Sequence, residues 1–141
     1  MEGHPPLHIV RGRAPEDRPT KKRTKTFTGE AWADPLMPQT ADGDTISSVT
    51  FTPGSRTYWH SHTGGQILIV TAGLGWICAE GSQPEVIRAG DIVWTPPGER
   101  HWHGGTRTTI MTHVGISIGP TNWLEEVEDE DYQAPPSAHA T

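Results

Sequence analysis

The stretch Gly54-Ser-Arg-Thr-Tyr-Trp-His60-Ser-His62-Thr-Gly-Gly-Gln66-Ile-Leu-Ile-Val-Thr-Ala-Gly73 decides the fold. His60 and His62 are two residues apart, and on an extended backbone positions i and i+2 share a face. The run Ile67-Leu-Ile-Val70-Thr71 is apolar on both parities and β-branched, the composition of a strand covered on both sides. Glycines punctuate both ends. The same pattern extends outward. Candidate strands are 46–52, ended by Pro53-Gly54, then 56–62, ended by Thr63-Gly64-Gly65, then 66–72. A turn is expected between Gly73 and Gly75, followed by strands 76–80, 86–88 and 91–95 and the breaker Pro96-Pro97-Gly98. Strands 101–103 and 108–118 complete the set. No core segment offers three helical turns. Short strands with frequent turns predict an all-β sandwich, jelly roll or barrel.

The composition agrees. A chain of 141 residues predicts one domain. Gly (16) and Pro (13) make up about one residue in five, which argues against a helical bundle. A single cysteine, Cys78, excludes an intrachain disulfide framework and reads as a buried apolar side chain rather than a nucleophile. No apolar run approaches the roughly 18 residues of a membrane span. The start, Met1-Glu-Gly-His-Pro-Pro, lacks the basic and apolar regions of a secretory leader, so a cytoplasmic location is expected.

The net charge of −6 is unevenly spread. Arg11, Arg13, Arg18, Lys21, Lys22, Arg23 and Lys25 crowd one early stretch that contains Pro15 and Pro19. Without interleaved aromatics it reads as a solvated arm, not a nucleic-acid contact. Glu125, Glu126, Glu128, Asp129, Glu130 and Asp131 crowd a late one, read as a short surface helix capped by Thr121 or Asn122. The expected organisation is a basic flexible arm (1–25), a strand-rich core (26–124), and a short acidic helix with a disordered tail (125–141). Strands apolar on both faces predict a second layer outside the barrel, a homodimer or homotetramer partner.

Eight histidines carry most of the chemical information. His4, His8 and His139 lie in the expected tails. His60, His62, His101, His103 and His113 lie in the core. Two imidazoles on one strand face, joined by a third from another strand, can hold a transition metal.

The spacing is Gly54-x5-His60-x-His62-x3-Gln66-x6-Gly73, followed by Gly90-x5-Pro96-x-Gly98-x2-His101. This resembles the two signature motifs of the cupin superfamily, with Gln66 where the family has Glu and Gly105 where it has Asn. The resemblance implies a double-stranded β-helix in which His60, His62, Gln66 and His101 are metal ligands. Phe27–Leu36, Thr57-Tyr-Trp-His-Ser-His62, Pro97-Gly-Glu-Arg-His-Trp-His-Gly104 and Met111-Thr-His113 are similar to small bacterial cupins that include the hydroxynitrile lyases. That likeness implies manganese first among Mn, Fe, Co, Ni and Zn, and a small-molecule substrate. It also implies cleavage of a cyanohydrin or related 2-hydroxy compound. The alternatives are another metal-dependent cupin enzyme (dioxygenase, isomerase or dehydratase) and a metal-dependent binding module.

An amide in place of a carboxylate leaves a divalent ion uncompensated by its ligands and more Lewis-acidic. The resemblance to the lyases, in which His113 matches a histidine near the metal, implies His113 as the candidate general acid/base, and His103, on the face of His101, is the alternative. Ser47, Val49 and Phe51 share one face of strand 46–52 and, with Trp94 and Met111, are the candidate apolar wall for substrate. Tyr58 is the candidate donor to a substrate oxygen. Trp59 and Trp102, one residue off the ligands, are expected to point outward.

Overall fold

The apolar run 67–71 lies within the longest strand of the molecule. The structure, a computed structural model, describes residues 6–12, 16 and 18–136. Its first strands are β1 (Lys21–Arg23), β2 (Phe27–Thr28), β3 (Ala31–Pro35), β4 (Thr45–Phe51), β5 (Arg56–Thr57) and β6 (His60–His62). They are followed by β7 (Gln66–Ala79), β8 (Glu85–Arg88), β9 (Ile92–Thr95), β10 (His101–Gly105), β11 (Met111–Ser117) and β12 (Thr121–Trp123). All pairings are antiparallel. One sheet runs β1-β3-β4-β11-β7 with β9 beyond β7. The other is built on the second half of β7, flanked by β8 and β10, and continues through β5 to β2. β6 lies between β10 and β12. The fold is the all-β barrel that the turn-rich sequence predicts.

The expected turn between Gly73 and Gly75 is instead a bend within β7. Residues 66–73 pair with β9 and β11, and residues 74–79 pair with β8 and β10, so one strand serves both sheets. Gly73 permits this. Its φ is +78°, and a Cβ there would lie 2.0 Å from the Ile110 carbonyl oxygen. The expected single strand 56–62 is broken for a related reason. The Tyr58 and Trp59 amides donate to the Thr26 and Glu125 carbonyls, outside the ladder, which separates β5 from β6.

Two apolar clusters result. Ala31, Phe51, Leu68, Val70, Ile77, Ile87 and Met111 pack between the sheets. Trp76, Cys78, Trp102, Val127 and Tyr132 pack outside the second sheet, with Trp59 against them. Trp59 and Trp102 therefore face away from the histidines, as period-2 geometry predicts.

The expected acidic helix does not form. Thr121–Trp123 is a strand paired with β6, and the chain beyond it runs as an irregular strap across the second cluster. A helix would stack Glu125 on Asp129 and Glu126 on Glu130, like charges four residues apart. The strap instead buries Val127, Tyr132 and Pro135. The expected basic arm also ends earlier than residue 25, because Lys21–Arg23 pair with Ala31–Ala33. Pairing with the edge of β3 satisfies backbone groups that a solvated arm leaves to water. His4, Arg13, Pro15, His139 and residues 137–141 lie outside the described residues. Among the described residues no helix is long and apolar enough to cross a membrane.

Tyr132 fastens the strap. It is fully buried and its hydroxyl donates to the Gly105 carbonyl at 2.6 Å. The Arg56 and Arg107 guanidinium groups lie 4.4 and 4.9 Å from its ring centroid. Burial pushes its phenol up to about 12. Truncating a buried aromatic costs about 3–5 kcal/mol. Tyr132→Ala is expected to lose that much in urea unfolding, and a loss below about 1 kcal/mol would show that the strap is not fastened there.

Candidate metal centre and active site

The strand pairing gathers residues that the sequence separates. His101 of β10 lies opposite His60 of β6, His113 of β11 lies opposite Val49 of β4, and Gln66 opens β7. Ring centroids are 4.2 Å apart for His60 and His101, 4.9 Å for His60 and His62, and 5.4 Å for His62 and His101. His103 lies 5.2 Å from His60, and His113 lies 4.7 Å from His103. None of the five is more than 4% exposed.

The far side of each ring shows what the near side can do. His60 Nδ1–H donates to the Tyr58 carbonyl at 2.9 Å, and His101 Nδ1–H donates to the Glu99 carbonyl at 3.0 Å. His62 Nδ1 meets the Thr121 hydroxyl at 3.0 Å. A neutral imidazole with its hydrogen on Nδ1 presents a lone pair on Nε2. His62 Nε2 is buried with no hydrogen-bond partner. Gln66 donates its amide Nε2–H to Ser117 Oγ at 3.0 Å, which turns its Oε1 toward His101 Nε2, 3.3 Å away. Two acceptor atoms that close, with no hydrogen between them, face a position that a cation satisfies. The donor set therefore fits a metal ion, and outer partners of this kind are those that orient metal-ligating imidazoles. Ligand atoms of His60, His101 and His103 all lie within 4.8 Å of one another. His103, expected as an acid/base candidate, thus also borders the metal position.

Burial and the neighbouring imidazoles hold these rings neutral. His60 and His103 are pushed well below the usual histidine range by burial, with adjacent histidines adding to it. His62 and His113 are each lowered to about 4, again chiefly by burial. Unfolding returns a histidine to about 6.5, so between pH 6.5 and 4 the unfolded chain binds protons that the native one does not. Stability of the metal-free protein is thus complete above pH 6.5 and is lost as pH falls toward 4, by roughly 3 kcal/mol for His113 alone. Melting curves at pH 7 and pH 5 check this, and an unchanged midpoint would show the rings to be charged in the native state.

Behind the cluster, His113 Nε2 and His103 Nδ1 lie 3.0 Å apart. The other nitrogens of both rings are buried without partners. The pair shares one hydrogen across its contact and can pass a proton along it.

Four of the five histidines, His60, His62, His103 and His113, line a cavity of about 480 Å³ together with Gln66. Ser47, Val49 and Phe51 also line it, as β4 alternation predicts. Met111 does not: it is fully buried in the inter-sheet core beneath. Tyr58 does not, because it sits in the break between β5 and β6, where alternation is lost. Trp94 does not either. On β9 the inward positions are Val93 and Thr95, so Trp94 points outward and is 54% exposed. Cys78 is buried and its thiol is pushed up to about 11, chiefly by that burial, which suits an inert side chain. The cavity also recruits Arg23, Phe27, Thr121 and Trp123 from strands near the two ends of the chain, which sequence reasoning missed.

A family model for the cupin domain matches residues 47–115. The chain is 50% identical over 113 residues to an (R)-mandelonitrile lyase of Granulicella tundricola, covering 76% of this chain and 86% of that protein. A solved cupin-like protein from Thermotoga maritima superposes with a TM-score of 0.75 at 36% identity, covering 89% of this chain and 95% of that one. A predicted oxalate decarboxylase from the same organism superposes at 0.66 with 23% identity, covering 80% and 100%, a likeness of fold alone.

Proposed function

This chain belongs to the cupin family, and on that premise we propose that it is a metal-dependent lyase cleaving cyanohydrins to a carbonyl compound and hydrogen cyanide. The observation that carries the proposal is the buried His103–His113 pair, 3.0 Å apart, beside a ligand set of imidazoles and one amide. The 50% identical mandelonitrile lyase supports the reaction class. His60, His62 and His101 would hold the ion through Nε2 and Gln66 through Oε1. Manganese stands first, ahead of Fe, Co, Ni and Zn, and the bound ion supplies Lewis acidity toward the substrate's hydroxyl oxygen.

The chain's own residues do the rest. Ser47, Val49 and Phe51 receive the apolar body of the substrate. The neutral His103–His113 pair accepts the hydroxyl proton through His113 or His103 as the bond to the nitrile carbon breaks. The electron pair of that bond leaves with cyanide, and the C–O bond becomes a carbonyl. The imidazolium then returns its proton to cyanide, so the pair ends as it began. Burial matters here, because a pair already protonated at pH 7 could not act as the base.

The test is aldehyde release from mandelonitrile by manganese-loaded protein and by the chelator-stripped form. Release that depends on the metal is expected. Protein that holds metal and releases nothing would overturn the proposal, and oxygen consumption or isomerisation of another small molecule would then identify a different cupin enzyme.

A further inference from the structure

The wall of the cavity contains one ion and no counter-ion. Among the residues lining it there is no aspartate and no glutamate, and the only charged side chain is Arg23. Arg23 closes β1, and its guanidinium lies 5.1 Å from the Phe27 ring centroid. The two residues before it differ from it: Lys22 faces outward and contacts Glu30, and Lys21 is exposed. Arg23 is partly buried and pairs with no carboxylate among the described residues. Burial lowers its pKa, but a guanidinium stays charged. A cation drawn into a pocket wall without an anion is an unfilled half of a pair.

The wall beneath it is aromatic. Phe27 stacks on Phe51 at 5.8 Å and meets Trp123 at 5.8 Å, and Trp123 lies 4.7 Å from His60. Exposure falls along this line from 37% at Trp123 to 1% at His60, so the rings lead from the mouth to the imidazoles. They give the cavity an aromatic wall against which a flat apolar body can lie.

Resting on the reading of this cavity as a substrate site, we infer that Arg23 binds a carboxylate on the substrate. The ligand is then an aromatic or similarly flat compound whose reacting carbon lies at the histidines and whose carboxylate lies at the mouth. Planar, bidentate carboxylate recognition is what arginine supplies and lysine does not.

The experiment is calorimetric titration of the full-length protein, carrying its metal, with 4-formylbenzoate and with the neutral 4-formylbenzamide. The wild type is expected to bind the carboxylate about tenfold more tightly, the size of one charge-assisted contact. Arg23→Gln is expected to abolish that preference, and Arg23→Lys to restore only part of it. Unchanged melting temperatures would show that the barrel is intact. Equal affinities in the wild type, failure of both compounds to bind, or a preference that survives in Arg23→Gln would overturn the inference. Survival in Arg23→Gln would place the carboxylate elsewhere, such as on the ion. The readout is binding, so it is separate from the lyase test: cleavage of mandelonitrile without any carboxylate preference overturns this inference alone.

Discussion

In His101→Ala, bound metal falls from one equivalent to background while the barrel remains folded. The expectation follows from the position of this ring. His101 is the imidazole nearest His60, and its Nε2 faces the Gln66 amide oxygen at 3.3 Å. Its ligand atom lies within 4.8 Å of those of His60 and His103. Its loss removes the atom that joins the β6 ligands to those of β10. The fold bears the loss because the backbone of residue 101 stays paired with Ala79 and His60, and alanine is acceptable on a strand. The substitution also takes one desolvated polar ring out of a crowded cluster. Metal content by atomic absorption, with circular dichroism for the fold, checks the result. A folded variant that keeps one equivalent would remove His101 from the ligand set.

His113→Ala keeps the metal and loses most turnover. His113 meets the cluster only through His103, at 3.0 Å, and contributes no atom to the tight ligand group. Metal content should therefore stay near one equivalent. Turnover of mandelonitrile should fall by roughly 10²–10⁴-fold, the usual worth of a positioned acid/base. The pH profile discriminates further. In the wild type the pair must be neutral to accept a proton, so cleavage should be lost as pH falls toward the value of about 4 set for His113 by burial. A variant whose residual rate shows no such loss has lost the titrating group. An unchanged rate would transfer the role to His103.

The site was legible where its residues lie close together in sequence. His60 and His62, and His101 and His103, are paired by strand alternation alone, and each pair does share a face. The structure buries Met111, His113, Gly115 and Ser117; alternation placed His113 on one face with Met111 but did not say which face is inside. It failed where the ladder is interrupted: the amides of Tyr58 and Trp59 bond elsewhere, so counting by twos across them misplaces Tyr58. It failed at Gly73 too, because a glycine that ends a strand and one that bends it look the same in sequence. Trp94 was assigned by hydrophobicity, and on a sheet with an apolar outer face hydrophobicity does not distinguish inside from outside. Ile92 and Ile110, 70% and 50% exposed, show the same ambiguity. The mouth of the cavity was not legible at all. Arg23 and Trp123 are a hundred residues apart and meet through Phe27, a contact that no local pattern encodes.

The central position of β11, between β4 and β7, and the place of β12 as the outer partner of β6 have a consequence for how the protein is made. Synthesis delivers residues from the N-terminus, and here the strands that complete the centre arrive last. Until Met111–Ser117 has emerged, β4 and the first half of β7 lack the neighbour they share. Until Thr121–Trp123 has emerged, the strand holding His60 and His62 lacks its outer edge. The β1–β3, β3–β4 and β7–β8 pairings are local and can form early, whereas the rest requires closing longer loops. A nascent chain of about a hundred residues therefore holds His60 and His62 with no cradle to fix them. Any ion these histidines hold can be fixed only once strands β10 to β12 have emerged.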